Sequence, residues 1–464
     1  MTDSPAPAPA PSAPVKPFRV RLPNPTPLPS GANLSRVLKS GPIAKIQGRI
    51  SGLSGASIEV AGLVAPVGAV CRVDAAGGTS SLAQVIGFRG DKLLLAMLDQ
   101  AQGLAAGDSV QYIHDAVNVG VGPELMGRVV DALGRPIDRQ PLPTGLNRCL
   151  VDNSAPSSLD RPPIRQTLET GVRVIDSLMT CGVGQRLGIF AGSGVGKSSL
   201  MGMLTRGSAA DAIVIALVGE RGREVREFID HALGPQGLKR SVLVVATSDQ
   251  PATLRLQAAW TATAIAESLR DSGKNVLLMV DSVTRFAMAQ RELGLAAGEP
   301  PTTRGYPPSV FAMLPRLVER AGRTERGSIT AFYSVLVEGD DNNEPIADTL
   351  RGLLDGHVVL SRKLASQAHW PAVDVLSSLS RLQNQLINPE ELQAANRVRR
   401  WMAEYEKAAD LIDIGAYRPG ANPELDIAVK MRPAIREFLT QDVNDKHRFK
   451  ETRQQLVRLA NGQT

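Results

Sequence analysis

Short apolar runs separated by glycines dominate the chain from residue 34 to about residue 115. Runs of this length, rich in β-forming residues and bounded by turn residues, are typical of strands. Many short strands with even spacing are typical of a small closed barrel. The sequence therefore predicts an N-terminal β-barrel with strands at 43–50, 57–60, 69–73, 83–89, 92–98 and 109–112.

A different pattern begins after residue 166, where almost continuous apolar runs rich in Val, Ile and Leu alternate with longer amphipathic segments. Continuous apolar strands are expected when helices cover both faces of a parallel sheet. The middle of the chain is therefore predicted to be a doubly wound α/β domain. Its five predicted strands are RLGIFAG (186–192), AIVIALVGE (212–220), SVLVVATS (241–248), NVLLMVDS (275–282) and SITAFYSVLVE (328–338).

The two ends of the chain differ from the middle in composition. From about residue 389 Glu, Gln, Arg and Ala dominate, with apolar residues at helical spacing, which predicts a helical domain. Residues 1–29 hold ten of the 32 prolines in an Ala-Pro alternation, which predicts an extended, disordered tail. This tail is either a solvated spacer or a segment that docks onto a partner. The predicted domains are a tail at 1–30, a barrel at 31–115, an α/β domain at 116–388 and a helical domain at 389–464.

Composition and charge exclude several classes of protein. With 43% hydrophobic and 21% charged residues among 464, the chain has a globular composition, and no run reaches the roughly 18 apolar residues that span a bilayer. A net charge of +6 and an aromatic content of 4% provide neither the charge nor the rings expected of a nucleic-acid-binding surface. The three cysteines, with no C-x-x-C spacing, support neither a disulfide framework nor a zinc site. A reducing cytoplasm fits this composition best.

The clearest motif is FAGSGVGKSS, which lies between a predicted strand and a predicted helix, as a P-loop requires. Its glycines allow backbone N–H groups to converge on phosphate oxygens, and the following helix adds the positive end of its dipole. Lys197 would neutralise the β- and γ-phosphates of ATP, and the Ser198 hydroxyl would bind Mg²⁺. Ala191 stands where the strict pattern has glycine, which is a mild departure. The predicted nucleotide-binding residues are Gly192, Ser193, Gly194, Val195, Gly196, Lys197, Ser198 and Ser199.

Two carboxylates end predicted strands of the α/β domain. Asp281 ends NVLLMVDS, which is the place of a Walker B carboxylate that helps to hold Mg²⁺ at the carboxyl edge of a sheet. Glu220 ends AIVIALVGE, where a carboxylate can orient and polarise the water that attacks the γ-phosphorus. From the residues alone, Glu220 could equally be a helix-capping acid, and Asp281 could be a surface acid at a strand end.

Four strings together resemble the catalytic ATPases of bacterial type III export, the flagellar and injectisome branches of the rotary ATP synthase α/β superfamily. They are AGSGVGKSS, VGERGREV, LLMVDSVTRFAMAQRELGLAAGEPPTTRGYPPSVF and HWPAVDVLSSLSR, and the last contains the superfamily signature from Pro371 to Ser380. The resemblance runs from about residue 34 to the C-terminus. It implies a small N-terminal β-barrel, a central RecA-like P-loop domain with a mainly parallel sheet, a C-terminal helical domain, and assembly into a ring of six.

The resemblance assigns roles to five residues. Glu220 takes the position of the family's catalytic glutamate, and Glu224 that of its companion near the Mg²⁺ waters. Arg285 would contact the γ-phosphate from the same subunit, whereas Arg381 would reach the nucleotide of the neighbouring subunit as an arginine finger. Arg381 could instead form a structural ion pair. Trp370 stands where the family usually has tyrosine, so its ring would stack on adenine unless it is a core tryptophan.

The function implied by the resemblance is ATP hydrolysis that energises protein export through a flagellar or injectisome type III secretion apparatus, with the flagellar branch favoured. The ATPase would be a homo-hexamer that uses ATP and Mg²⁺ at catalytic sites shared between subunits. It would lie in the cytoplasm at the inner membrane, beside a membrane export gate. Its other expected partners are a stalk, a regulator, and cargo or chaperone proteins, but no nucleic acid.

Two alternatives remain. A catalytic β-type subunit of a rotary ATP synthase fits in outline, although LVEGDDNNEPIADTLRGLLDGHVVLSRKLA and the Pro-rich tail favour the export branch. A ring-shaped RNA translocase would share the nucleotide fold, but its RNA-binding barrel should display aromatic residues and a basic groove. The predicted barrel has only Phe88 and Tyr112 as aromatic residues, which counts against this class.

Overall fold

The computed structural model describes residues 47–54, 57–99, 103–337 and 344–463. The tail predicted at 1–30 and the beginning of the strand predicted at 43–50 lie outside this part of the chain. Within it the strands are β1 (Gln47–Ser54), β2 (Ser57–Ala61), β3 (Val70–Asp74), β4 (Ser80–Arg89), β5 (Lys92–Met97), β6 (Ser109–His114), β7 (Asn118–Val121), β8 (Val129–Asp131), β9 (Asn147–Leu150), β10 (Arg186–Ala191), β11 (Ala212–Glu220), β12 (Ser241–Thr247), β13 (Asn275–Asp281), β14 (Gly322–Arg323), β15 (Ser328–Leu336), β16 (Gly356–Leu360) and β17 (Val373–Ser380).

Helices follow most strands of the middle part and make up most of the C-terminal part. They are α1 (Arg173–Leu178), α2 (Lys197–Gly207), α3 (Gly222–Glu227), α4 (Gly234–Lys239), α5 (Ala252–Asp271), α6 (Val283–Ala297), α7 (Pro308–Val318), α8 (Pro345–Leu353), α9 (Arg362–Ser366), α10 (Gln383–Leu386), α11 (Pro389–Asp413), α12 (Pro423–Leu439) and α13 (Phe449–Ala460). A π-helical turn at Phe228–Leu233 joins α3 to α4. Among the described residues no helix is both long and apolar enough to cross a membrane.

The N-terminal strands form the small barrel that the sequence predicts. β1 to β6 close in the order β1-β2-β5-β4-β3-β6, with β1 paired antiparallel to both β2 and β6. Its interior is filled by small and branched apolar side chains, because alternate positions of each strand point inward. Ile58, Val60, Cys71, Val85 and Leu95 are among these buried residues.

The central sheet has nine strands and is mainly parallel. Its main path runs β17-β16-β10-β15-β13-β11-β12-β8, and the short β14 pairs with β15. All five strands predicted from apolar runs belong to it, as β10, β11, β12, β13 and β15. Only β14 and the edge strand β17 pair antiparallel to their neighbours.

Helices cover both faces of this sheet, as its continuous apolar strands predict. Alternate residues of β11 show this most clearly, because Val214 and Ala216 pack into one core whereas Ile213 and Ile215 pack into the other. The second core extends into the C-terminal helices through residues such as Val398 of α11. The barrel, the α/β sheet and the C-terminal helices are confirmed, while the exact domain boundaries at 115/116 and 388/389 stay predictions.

Candidate active site

The P-loop connects the end of β10 at Ala191 to the start of α2 at Lys197. Gly194 and Gly196 have φ angles of 77° and 90°, a left-handed conformation that glycine adopts without a steric penalty. Gly196 is also the N-cap of α2, so the first backbone N–H groups of this helix face the end of the loop. The local sequence therefore builds a phosphate-binding loop at the carboxyl edge of the sheet.

This loop forms one wall of a cleft of about 590 Å³. The other walls come from the ends of β11, β13 and β15 and from α3, α6 and α9. Of the P-loop positions predicted to bind nucleotide, Val195 is the exception, because its side chain is buried in the core beneath the loop. The predicted residues that line the cleft are Gly192, Ser193, Gly194, Gly196, Lys197, Ser198, Ser199, Glu220, Glu224, Asp281 and Arg285.

Lys197 and Asp281 form an ion pair at the floor of the cleft. Lys197 Nζ donates a hydrogen bond to Asp281 Oδ1, and the hydroxyl of Ser334 donates to the same oxygen at 2.9 Å. Burial alone would lower the pKa of Lys197, but the negative charges of Asp281 and Glu220 outweigh burial and raise this pKa above its ordinary value. Lys197 is therefore a cation in the absence of nucleotide, with its charge held by carboxylates.

Glu220 lies beside this pair and has an unsatisfied oxygen. Its side chain is 9% exposed, and its Oε1 atom is 3.5 Å from Lys197 Nζ and 3.4 Å from Arg285 Nε. Both Glu220 Oε1 and Arg285 Nε are buried without a hydrogen-bond partner. Because buried polar atoms normally have partners, these two atoms mark a place where a water molecule or phosphate oxygen would fit.

The carboxyl groups of Glu220 and Glu224 have pKa values shifted in opposite directions. Burial is the main cause that raises the pKa of Glu220 to about 7, and a hydrogen bond to Glu224 acts in the same direction. The same hydrogen bond lowers the pKa of Glu224, which lies in the more open part of the cleft on α3. Near neutral pH Glu220 can therefore exchange a proton, while Glu224 is ionised.

The cleft also suits a magnesium ion. Mg²⁺ binds oxygen ligands and usually keeps waters and substrate phosphates in its shell, using only one or two carboxylates from the protein. Ser198 is exposed to the cleft and Asp281 lies at its floor, so a hydroxyl and a carboxylate are both present. The described residues contain no cluster of three or more His, Cys, Asp or Glu that would hold a metal without a nucleotide.

Trp370 lies against the P-loop but does not line the cleft itself. A side chain added at Gly196 would meet Trp370 Cζ3 at 2.7 Å, so the indole ring packs directly on this glycine. Trp370 is 37% exposed, which is not the environment of a core tryptophan. The backbone N–H of Gln441 donates to the carbonyl of Trp370 at 2.8 Å and ties this segment to the residues that follow α12.

Arg381, like Val195 and Trp370, does not line the cleft, and it lies far from the P-loop of its own chain. Its Nη2 donates to the carbonyl of Arg351 at 3.1 Å, and its backbone N–H donates to the carbonyl of Asp355. The preceding residue, Ser380, pairs with Gly356 at the start of β16, whereas the end of β16 lies beside Ala191 and the P-loop. Arg381 therefore lies level with the amino end of β16, whereas the P-loop lies level with its carboxyl end.

Some residues that line the cleft were not predicted to belong to it. Two are arginines: Arg221 follows Glu220 directly, and Arg362 begins α9. Arg221 is part of the VGERGREV string and could have been considered from it, whereas Arg362 belongs to no phosphate-binding motif. The remaining wall is apolar and consists of Leu217, Val225, Phe228, Leu336 and Val337.

Two family profiles match the chain. The nucleotide-binding domain of the ATP synthase alpha/beta family matches residues 171–380, which include every polar residue of the cleft wall. The T3SS EscN ATPase C-terminal domain matches residues 387–458, which correspond to the C-terminal helices. The second match does not favour a rotary ATP synthase subunit or an RNA translocase.

The relatives are similar over almost their whole length. The chain is 53% identical over 410 residues to the flagellum-specific ATP synthase of Bacillus subtilis (strain 168), covering 88% of this chain and 94% of the relative. It is 48% identical over 425 residues to the type 3 secretion system ATPase of Xanthomonas euvesicatoria, covering 91% and 96%.

Solved structures agree with these matches. The assembled ATPase EscN from the enteropathogenic E. coli type III secretion system has a TM-score of 0.85 and 45% identity, covering 89% of this chain and 100% of the other. EscN in complex with its central stalk EscO has a TM-score of 0.82 and 44% identity, with the same coverage. The P-loop cleft, the two family matches and these near full-length similarities lead to one conclusion: the chain belongs to the family of flagellum-specific and type 3 secretion system ATPases, and it is an ATPase.

Proposed function

We propose that this ATPase works as a homo-hexameric ring, in which MgATP hydrolysis at sites shared between subunits energises protein export through a flagellar type III secretion apparatus. The observation that carries the catalytic part is the buried, unsatisfied Oε1 of Glu220 beside Lys197 and Arg285. A carboxylate in this setting can accept a hydrogen bond from the attacking water and, with a pKa near 7, take its proton. Its position at the carboxyl edge of the sheet supports this role.

The cations of the cleft would stabilise charge on the phosphates. Lys197 follows the P-loop glycines and would exchange its contact with Asp281 for the β- and γ-phosphates of ATP. Arg285, with its buried Nε atom, would contact the γ-phosphate from the side of Glu220. Ser198 and Asp281 would hold Mg²⁺, which would supply positive charge to the phosphates of ATP.

The position of Arg381 supports a site shared between subunits. About four residues of β16, or roughly 13 Å at 3.3 Å per residue, separate the level of Arg381 from the level of the P-loop. An arginine that cannot serve its own cleft can serve that of a neighbour if subunits pack head to tail in a closed ring. Arginine fingers of this kind contribute about 10³ to 10⁵ to the rate.

The partners belong to the same proposal. EscN has been solved in an assembled form and in complex with its central stalk EscO, which supports a ring and a stalk for this chain. The flagellum-specific relative from Bacillus subtilis supports the flagellar branch. We further propose a position in the cytoplasm against the inner membrane, beside an export gate, together with a regulator and with cargo or chaperone proteins.

Replacing Glu220 by glutamine tests this function. Glu220→Gln keeps the size of the side chain but cannot accept the proton, so ATP should still bind while turnover falls at least roughly 10²-fold. In a strain that lacks its own copy of the gene, this variant should not restore flagellar protein export. ATPase rate, ATP affinity and secreted flagellar protein are the three measurements.

Glu227→Gln is the matched control. Glu227 is an acid of α3, close to Glu220 in the chain, but it is 52% exposed, pairs with Arg223 at 3.6 Å and does not line the cleft. It should leave hydrolysis and export unchanged. Normal turnover by Glu220→Gln would remove Glu220 from the mechanism, and normal export by a hydrolysis-deficient variant would remove the coupling to export.

A further inference from the structure

Arg362 is a cleft residue with no role in the mechanism described above. The cleft wall contains four cationic side chains, Lys197, Arg221, Arg285 and Arg362, and three carboxylates, Glu220, Glu224 and Asp281. The first three cations each lie within 4 Å of a carboxylate of the same cleft. Arg362 is exposed, and its side chain forms neither a hydrogen bond nor an ion pair with any residue that the structure describes.

Arg362 reaches the P-loop from the side of β10 that faces β16. β10, which leads into the P-loop, has β16 on one side, and β15, β13 and β11 on the other. Glu220 and Asp281 end β11 and β13 on the second side, and Arg285 lies on α6, which follows β13. Leu360, the last residue of β16, pairs with Ala191, and Arg362 comes two residues later at the start of α9. Arg362 therefore flanks the P-loop opposite to the proposed catalytic residues.

This position leaves one uncompensated positive charge in the cleft. A cation that already contacts a carboxylate exerts little net field on a distant anion, because the two charges cancel beyond a few ångströms. An unpaired guanidinium in a concave site instead attracts anions and raises their association rate. It also offers the planar set of N–H donors that suits phosphate oxygens.

We propose that Arg362 is the nucleotide-recruiting residue of the cleft. Its guanidinium attracts the polyphosphate chain of ATP and contacts this chain on the flank of the P-loop away from Glu220. The role differs from that of Arg285, because Arg362 acts on the association of ATP rather than on the reacting γ-phosphorus. The inference rests on the proposed function of the cleft as the MgATP site.

The test compares Arg362→Gln with Arg362→Lys and Lys363→Gln. Lys363 is the next residue of the same helix, but its Nζ lies 2.9 Å from Glu406 Oε1 and it does not line the cleft. Lys363→Gln therefore removes the same amount of charge at almost the same place without touching the cleft. The probe is a fluorescent N-methylanthraniloyl derivative of ATP, with association rates measured by stopped flow at about 0.1 M and about 1 M salt, where the Debye length falls from roughly 10 Å to roughly 3 Å.

We expect Arg362→Gln to lower the association rate about 10-fold at low salt and much less at high salt, because screening removes the attraction. The KM for ATP should rise to a similar extent, while kcat at saturating ATP changes less than about 2-fold. Arg362→Lys should restore most of the association rate, since it keeps the charge. Lys363→Gln should match the unchanged protein.

Three results would overturn the inference. They are an unchanged association rate for Arg362→Gln, an equal loss for Lys363→Gln, and a loss of kcat with KM unchanged. The P-loop variant Lys197→Ala separates this question from the proposed function. If Lys197→Ala bound and hydrolysed ATP normally, the cleft itself would not be the MgATP site. If Lys197→Ala lost activity but Arg362→Gln bound ATP at the normal rate, the cleft would remain the MgATP site and only the role of Arg362 would be wrong.

Discussion

Glu220 and Glu224 show how two chemically similar acids acquire different properties in one cleft. Glu220 is buried at the end of β11, and burial raises its pKa to about 7. Glu224 lies in the first turn of α3, and the hydrogen bond from Glu220 lowers its pKa. A base must be ionised to accept a proton, so the reactive form of Glu220 is lost as the pH falls through its pKa.

This difference predicts the pH dependence of hydrolysis. The value of kcat/KM, which reports the ionisation of the free enzyme, should fall below about pH 7 and reach roughly one tenth of its plateau at pH 6. In Glu224→Gln a neutral amide oxygen replaces the ionised acceptor that stabilises the protonated form of Glu220, so this form is stabilised less and the acidic limb should move to lower pH. A pH series of ATPase rates under saturating Mg²⁺ measures both curves. An acidic limb that stays in place in Glu224→Gln would mean that another group titrates.

Among single site residues, those that belong to contiguous sequence motifs could be predicted, whereas Arg362, which belongs to none, could not. Lys197, Ser198 and Asp281 follow from a strand, a loop and a helix that are adjacent in the chain. Glu220 was ambiguous from its residues alone, because its burial and its unsatisfied oxygen depend on neighbouring strands. Arg362 reaches the cleft only through the pairing of β16 with β10, more than 160 residues apart, which no local pattern reveals.

The end of β11 depends on one glycine. The pairing of β11 with β12 shifts register between Val218 and Glu220, which makes Gly219 an extra residue at the strand end. Gly219 has a φ angle of 67°, and a side chain added there would meet Arg285 Cδ at 3.0 Å. This bulge turns Glu220 toward the cleft and leaves room for Arg285 to approach it.

Gly219→Ala should therefore impair catalysis more than folding. The added methyl group strains the backbone by roughly 1 to 3 kcal/mol and displaces Arg285 and Glu220 together. Because a misplacement of about 1 Å can cost about 10²-fold in rate, we expect turnover to fall by about 10- to 10²-fold while ATP still binds. Steady-state kinetics and equilibrium nucleotide binding measure the two effects.

Gly222→Ala provides the control for this substitution. Gly222 begins α3 close to the same cleft, but a side chain added there would meet nothing within 4 Å and its φ angle lies outside the left-handed region. Its turnover should stay within about 2-fold of the unchanged protein, since alanine is the better helix former. Equal losses in both alanine variants would show that the bulge is not the cause.

Among the elements, the apolar strands were predictable and the bends between them were not. The five runs that became β10, β11, β12, β13 and β15 are apolar at nearly every position, as burial on both faces requires. The edge strand β17 was not predicted, because its buried and exposed positions follow no regular alternation and its pairing with β16 is irregular. That irregular strand connects Trp370, near the P-loop, to Arg381, which lies level with the amino end of β16.

At the scale of the whole molecule, the separation of Arg381 from its own P-loop has a consequence for activity. If a neighbour's Arg381 completes each site, a ring of identical subunits has as many sites as interfaces. An isolated subunit should then hydrolyse ATP about 10³- to 10⁵-fold more slowly than a subunit in the ring. Arg381→Ala and Lys197→Ala should each abolish turnover, one by removing the finger and the other by removing the P-loop charge. The two defects would then lie on different sides of one interface.

Mixing these two variants distinguishes a shared site from a site within one chain. An Arg381→Ala subunit still has its P-loop, and a Lys197→Ala subunit still has its finger, so one orientation of a mixed interface contains both. In rings assembled at random from equal amounts, about one quarter of interfaces have this orientation, and activity should return toward that fraction of the unchanged protein. The matched control replaces Lys197→Ala by the double variant Lys197→Ala/Arg381→Ala, which offers neither group and should restore nothing. Assembled mixed rings that remain inactive would place the function of Arg381 within its own chain, where its contacts with Arg351 and Asp355 would then be its role.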